Sequence, residues 1–269
     1  MSTIDVIIPI KGRPEMLKER SLPSLLNQSY KDFKVTVVDD GSDHHDFEFM
    51  KGIVTEYRGF GLDIQLLRNS GTPGAAGARN FGFVETSNEY VLWYDSDDIL
   101  LNQKLKISLD LIGSKNFDFA ITRAQHIKEG QLIDEFWGEP IAPNRGKYEF
   151  HFPYQTMCAL YSRLFLSTTK LRWNEQNNSI DDWEISNAAI LTSSNWVYSP
   201  VVTAHYFVPT LKSGSIGSKM NADKIKSQQK AMERIRSLML QYALLYSTLS
   251  KAKIIKHKAF LMCKKSFRL

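Results

Sequence analysis

The stretch from Arg68 to Asp98, RNSGTPGAAGARNFGFVETSNEYVLWYDSDD, constrains the fold of this chain more than any other. It reads as a glycine-rich turn, a short helix, the apolar run Tyr90-Val91-Leu92-Trp93-Tyr94, and then Asp95-Ser96-Asp97-Asp98. The run is β-branched and aromatic and of strand length. In an open α/β sheet, ligands sit beyond the carboxyl ends of the strands. Carboxylates crowded at such an end repel one another unless a cation neutralises them. Hard divalent ions take oxygen ligands and bridge carboxylates to substrate phosphates. A solvated acidic turn and a metal–diphosphate site are the two readings of DSDD, and the rest of the chain decides between them.

The same pattern recurs upstream. Ile4–Ile10 reads as a buried strand, and Pro9 lies near its end, where a ladder donor is dispensable. Lys11-Gly12-Arg13 is a turn, followed by a helix through Leu17, Leu22, Leu25 and Leu26 that Pro23 bends or interrupts. A second strand, Phe33–Val38, again ends in acid at Asp39-Asp40. A helix through Phe47, Ile53, Val54 and Tyr57 and a third strand at Ile64–Leu67 complete the run-up. Strands alternating with helices predict an α/β fold with a doubly wound, mostly parallel, twisted sheet and helices on both faces. Right-handed crossovers then set Pro9, Asp39 and Asp95 along one rim. The turn at residues 71–77, GTPGAAG, is spaced G-x-x-G-x-x-G and lacks the dinucleotide-binding pattern. Its small residues let backbone approach a ligand, with Arg79 either near phosphates or in a structural ion pair.

Charge divides the chain. Residues 219–269 hold thirteen Lys and Arg against Asp223 and Glu233, a net +11 beside an overall +5, which leaves −6 for the remainder. An acidic body argues against a nucleic-acid partner and gives the basic tail one local anionic partner. The tail is helical by period through Ile235, Leu238, Met239, Tyr242, Leu245, Tyr246 and Leu249. The following KAKIIKHKAFLMCKKSF suits either an anionic membrane surface or solvent. No stretch reaches the roughly 18 apolar residues of a spanning helix, and no signal peptide is evident. Cys158 and Cys263 lack metal-like spacing, so reduced thiols and a cytoplasmic location are expected, peripheral at the inner face of the plasma membrane.

In order, VIIPIKGRPEMLKERSLPSLLNQSYKDFKVTVVDDGSD, NSGTPGAAGARNFGF and EYVLWYDSDD resemble the nucleotide-binding half of family 2 glycosyltransferases of the GT-A fold. The resemblance implies that Asp39, with Asp40 beside it and Pro9 at the first strand end, recognises the nucleotide base. It implies that Asp95 holds ribose and Asp97 holds Mn²⁺ or Mg²⁺ on the diphosphate, with Asp98 beside them as a second metal ligand or a helix cap. Ile10-Lys11 follow Pro9 where the family has an aromatic residue and Asn, so base stacking is lost. A further block, CALYSRLFLSTTKLRWNEQNNSIDDWEISNAAI, is similar to the acceptor-side pattern, with Asp181 where Glu is usual. It implies Asp182 as general base, whereas Asp181 reads equally as a helix cap.

His205, in the strand-like VVTAHYF run, is a candidate metal ligand or a core histidine. Lys212 is a candidate phosphate contact or a solvated lysine. Asp43-His44-His45-Asp46 reads as a solvated loop before a helix. Phe136–Phe152, rich in aromatics, Pro and Gly, reads as a loop or irregular sheet lining a pocket. The expected organisation is a donor-binding half at 1–100, an acceptor-binding half of the same domain at 101–218, and a basic amphipathic helical extension at 219–269. The expected activity is metal-dependent, inverting transfer of a sugar from a nucleotide diphosphate, UDP by default, to a glycan or lipid-linked hydroxyl in bacterial surface polysaccharide synthesis. A non-catalytic sugar- or nucleotide-binding module and a sugar nucleotidyltransferase are the alternatives.

Overall fold

The computed structural model describes residues 4–113, 115–138, 154–209 and 221–249. The four apolar runs form the strands β1 (Ile4–Ile10), β2 (Phe33–Asp39), β3 (Ile64–Arg68) and β4 (Tyr90–Trp93). They lie side by side as β3-β2-β1-β4, all parallel. All seven residues of β1 are buried, as expected of a parallel strand covered on both faces. Asp5 is the charge inside it. Its carboxylate accepts from the backbone and side-chain N–H groups of Asn88 and pairs with Arg163 at 2.8 Å. This pair lies at the end of β1 away from the acidic rim.

The connections follow from local sequence. Leu17–Ser21 forms a π turn and α1 (Leu22–Leu26) follows, with Pro23 in its first turn. Proline lacks the N–H for an i→i−4 bond, so the widened turn ends where Pro23 enters. Helix α2 (His44–Gly59) is capped by the Asp43 side chain, which accepts from the N–H of Asp46, and it buries Met50, Ile53, Val54 and Tyr57. Helix α3 (Ala75–Val84) lies tight on the sheet: a Cβ at Gly82 would come within 2.6 Å of Ile7 Cγ2. A Cβ at Gly77 would collide with the Thr72 carbonyl oxygen. That glycine is required by the turn's own closure.

The second half holds β5 (Ile99–Leu100), α4 (Lys104–Gly113), β6 (Phe119–Lys128), β7 (Gln131–Trp137), β8 (Ala159–Ser162), α5 (Arg163–Thr169), α6 (Asp181–Thr192), β9 (Trp196–Phe207) and α7 (Ala222–Leu249). The sheet continues from β4 through β8, β6 and β9 to β5, with β7 on β6. One sheet therefore joins the two halves of the domain. The sheet expected to be mostly parallel is parallel from β3 to β4 and again at β6–β9, whereas the β4–β8, β6–β8, β6–β7 and β5–β9 pairs are antiparallel. The β6–β7 connection shows why. It is the two-residue turn Glu129-Gly130, both at positive φ (52° and 79°), which reverses the chain directly into an antiparallel neighbour.

Helix α7 starts at Ala222 and buries Ala231, Ile235 and Met239. The helical period read in the tail is present, and α7 packs against α6. Arg234 grips Glu184 of α6 with Nε–Oε1 and Nη2–Oε2 distances of 2.5 and 2.9 Å. Among the described residues no helix is long and apolar enough to cross a membrane. The segment KAKIIKHKAFLMCKKSF and most of 136–152 lie outside the described residues; Phe136 and Trp137 end β7.

Candidate active site

A cleft of ≈ 730 Å³ opens at the carboxyl ends of β1, β2 and β4. Pro9, Asp40, Asp95, Asp97 and Asp98 line it from the first half, and Asp181 and Asp182 from the second. Parallel strands joined by crossovers deliver the first group to one rim. Helix α6 delivers the second, since its first two residues are the acidic pair.

The carboxylates are held individually. Asp40 accepts Asn69 Nδ2 on Oδ1 and the Gly74 N–H on Oδ2, both at 2.8 Å, which ties the end of β2 to the glycine turn. Asp39 is fully buried and does not line the cleft. Its Oδ1 accepts from the Ser42 N–H at 3.0 Å, while Oδ2 has no hydrogen-bond partner and stands 3.3 Å from Arg68 Nε. Of the predicted base-recognition pair, only Asp40 reaches the cleft wall.

Arg79 bridges the two halves. One terminal nitrogen donates to Asp95 Oδ1 at 2.6 Å and the other to Asp181 Oδ2 at 2.8 Å, and the guanidinium lies 4.1 Å over the Trp173 ring. Burial opposes its charge, but Asp95, Asp181 and Asp182 more than offset this and raise its pKa. The structural ion pair weighed for Arg79 is thus present. Asp181 serves it: the α6 cap position is Ile180, without a side-chain cap. Asp95 is held from its other side by Thr156 Oγ1, which donates to Oδ2 at 3.0 Å.

Asp97 and Asp98 differ in kind. Asp97 is partly exposed, and burial followed by the charge of Asp95 raises its pKa. Arg13 Nη1 stands 3.7 Å from Asp97 Oδ2, and Arg20 donates to the Asp97 carbonyl at 2.7 Å. Asp98 is 2% exposed, and its Oδ1 accepts from the Phe207 N–H at 2.9 Å, which fastens the end of β9 to the acidic turn. Burial, then Asp97 and Asp95, pushes its carboxyl well above the ordinary range.

Asp182 Oδ1 accepts from the Trp183 N–H at 2.7 Å. Burial and then Asp181 raise its pKa to about 7, against the opposing effects of that N–H and of Arg79. A carboxylate with a pKa near neutrality is suited to general-base work.

His205 pairs with Ile99 in the sheet and is not among the cleft residues; its neighbours Tyr206 and Phe207 are. Burial lowers its pKa. Lys212 lies outside the described residues. Asp97, Asp98 and His205 do not close into a tight ligand group. Among the described residues, the side chains that do are Asp43, His45 and Asp46, within 4.8 Å of one another at the start of α2. Asp43 there is the helix cap. A divalent ion nonetheless fits the cleft. Asp97 offers hard oxygen donors, burial and then the charge of Asp95 hold back its ionisation, and a guanidinium stands beside it where a cation would.

Sequence reasoning missed Lys11, Arg13, Thr156, Tyr206 and the Glu184–Arg234 clamp. Only Lys11 carried a signal, as the basic residue standing where the resembled motif has Asn.

Comparison with known proteins agrees with this geometry. The family model described as Glycosyl transferase family 2 matches residues 5–167. An uncharacterized glycosyltransferase of Rickettsia bellii (strain RML369-C) is 34% identical over 132 residues, 49% of this chain and 18% of its own length. UDP-Glc:alpha-D-GlcNAc-diphosphoundecaprenol beta-1,3-glucosyltransferase WfgD of Escherichia coli is 30% identical over 146 residues, 54% of this chain and 53% of that protein. The matches thus span 18% and about half of these relatives. The crystal structure of S. aureus TarS 1-349 in complex with UDP-GlcNAc superposes with a TM-score of 0.68 at 21% identity, over 88% of this chain and 66% of that one. The fold is GT-A.

Proposed function

We propose, from the premise that the chain belongs to glycosyl transferase family 2, that it transfers a sugar with inversion from a nucleotide diphosphate to a hydroxyl of a glycan or lipid-linked acceptor. The observation carrying this reading is that Asp182 and the Asp95–Asp97 pair share one cleft, with Arg79 joining Asp95 to Asp181. UDP is the proposed base by likeness to TarS, solved with UDP-GlcNAc. A role in bacterial surface glycan synthesis follows from likeness to WfgD, whose name describes a lipid-diphosphate-linked acceptor.

Pro9 and Asp40 form the base side of the cleft, with Asp39 stiffening the strand end behind them. Asp95, its carboxylate fixed by Arg79 and Thr156, faces the ribose. Asp97 holds the divalent ion, which when bound neutralises charge developing on the departing diphosphate. Asp98 acts differently from the expected ligand, holding Phe207 and so the β9 wall. Asp182 takes the proton from the acceptor hydroxyl as that oxygen attacks the anomeric carbon opposite the diphosphate, a contribution typically worth about 10²–10⁴ in rate.

Residues 219–269 are proposed to meet anionic lipid. The support is their net charge and the exposure of Ile225, Met232 and Leu240 on α7. Flotation on phosphatidylserine vesicles, with and without these residues, tests that; equal flotation rejects it. For the enzyme itself, the test is thermal stabilisation by a panel of nucleotide sugars with and without Mn²⁺. A bound donor stabilises with the logarithm of its concentration over Kd, so one sugar should stand out. A flat panel in Mn²⁺ would reject the reading.

A further inference from the structure

Six carboxylates line the cleft, and a diphosphate entering it needs positive charge beyond one divalent ion. The described cations lining it are Lys11, Arg13 and Arg79. Arg79 is spoken for, since its two terminal nitrogens hold Asp95 and Asp181. Lys11 and Arg13 are the other two. They flank Gly12 on the turn after β1, where Gly12 and Arg13 both have left-handed backbone (φ 62° and 51°). The Gly12 N–H donates to Ser42 Oγ at 2.8 Å, which ties this turn to the one after β2. Arg13 leans toward Asp97, 3.7 Å away, and both side chains keep solvent access, 43% and 33%.

We propose that Lys11 and Arg13 form the diphosphate clamp of this site, and that Arg13 is the resident counter-ion of Asp97, exchanged for a divalent ion when a nucleotide diphosphate binds. This rests on the reading of the cleft as a donor site. Before the ion binds, Arg13 partly neutralises the carboxylate that is to hold it. When the ion takes Asp97, the guanidinium is freed for the anion arriving with it, and its planar fork matches phosphate oxygens bidentately. Lys11, as a compact charge on the same turn, meets the same anion. No bond is made or broken in the exchange. Metal and diphosphate become linked ligands, each favouring the other through one side chain.

Calorimetry on the full chain tests this, with Mn²⁺ alone and with pyrophosphate, UDP, GDP, dTDP and UMP in Mn²⁺. In Arg13→Gln, pyrophosphate and the tightest nucleoside diphosphate should weaken about tenfold or more, while UMP changes little. Mn²⁺ alone should bind Arg13→Gln roughly two- to fivefold tighter, the range of an exposed ion pair. These opposite signs cannot come from a misfolded variant. Lys11→Gln should repeat the anion loss without the Mn²⁺ gain, and Arg13→Lys should restore part of it. Unchanged pyrophosphate affinity in Arg13→Gln and Lys11→Gln, including a parent that binds none, overturns the clamp. Parallel loss of Mn²⁺ and anion overturns the exchange. A parent that binds pyrophosphate through Arg13 but no nucleoside diphosphate more tightly would leave the clamp standing and remove the donor reading.

Discussion

Arg79 and Asp181 meet at 2.8 Å across 102 residues of chain, and the same guanidinium holds Asp95. A helix behind the glycine turn thereby sets the distance between the donor-side and acceptor-side carboxylates. Arg79→Lys keeps the charge but loses the two-armed geometry. The expected result is a folded protein whose transfer rate falls by about 10- to 100-fold with little change in nucleotide affinity. Arg79→Ala strands two carboxylates and should cost about 3–5 kcal/mol in urea unfolding.

Asp182 carries a pKa raised to about 7, so the folded protein retains a proton there that the unfolded chain loses near pH 4. The sign follows from linkage. Stability from this group is full below pH 4 and is lost as pH rises through 7. Asp182→Asn should therefore raise the melting temperature at pH 8 and leave it nearly unchanged at pH 4. Transfer by the parent should rise with pH and level off above about 7, because the base must be ionised.

Arg234 belongs to the tail helix but grips Glu184, two residues beyond Asp182. Asn174 and Asn177 also donate to Glu184, and Ser227 of α7 donates to Asn177. Arg234→Ala should lower stability by about 1–3 kcal/mol and slow transfer while UDP binding holds. Equal loss of binding and turnover would mean a general effect on folding.

Asp98→Asn separates a metal ligand from a structural carboxylate. The amide oxygen can still accept from the Phe207 N–H, so Mn²⁺-dependent nucleotide binding should survive. Asp98→Ala leaves that N–H unpaired and should cost about 1–3 kcal/mol. Loss of metal-dependent binding in Asp98→Asn would restore Asp98 as a ligand.

The first half was legible because its strands are continuous apolar runs closed by acid or glycine, a pattern with one architectural solution. The carboxylates of the cleft were legible for the same reason, as residues at strand ends. Others were not. Asp39 and Asp40 are neighbours of the same type, and only the strand's pleat decides which turns inward. The β6–β7 hairpin turns on Glu129-Gly130, a weaker signal than Asn-Gly. Lys104 stands at the start of an amphipathic helix, yet it is fully buried, donating to Thr122 Oγ1 and the Cys158 carbonyl. The Arg79 bridge depends on residues about a hundred positions apart, where spacing carries no information.

The most direct measurement is turnover of the nucleotide sugar that best stabilises the protein, in Mn²⁺, by the parent and by Asp182→Asn, with nucleotide affinity measured in parallel. The predicted result is undiminished affinity in Asp182→Asn and turnover lower by about 10²-fold or more. Undiminished turnover in that variant would contradict the assignment of Asp182 as the base.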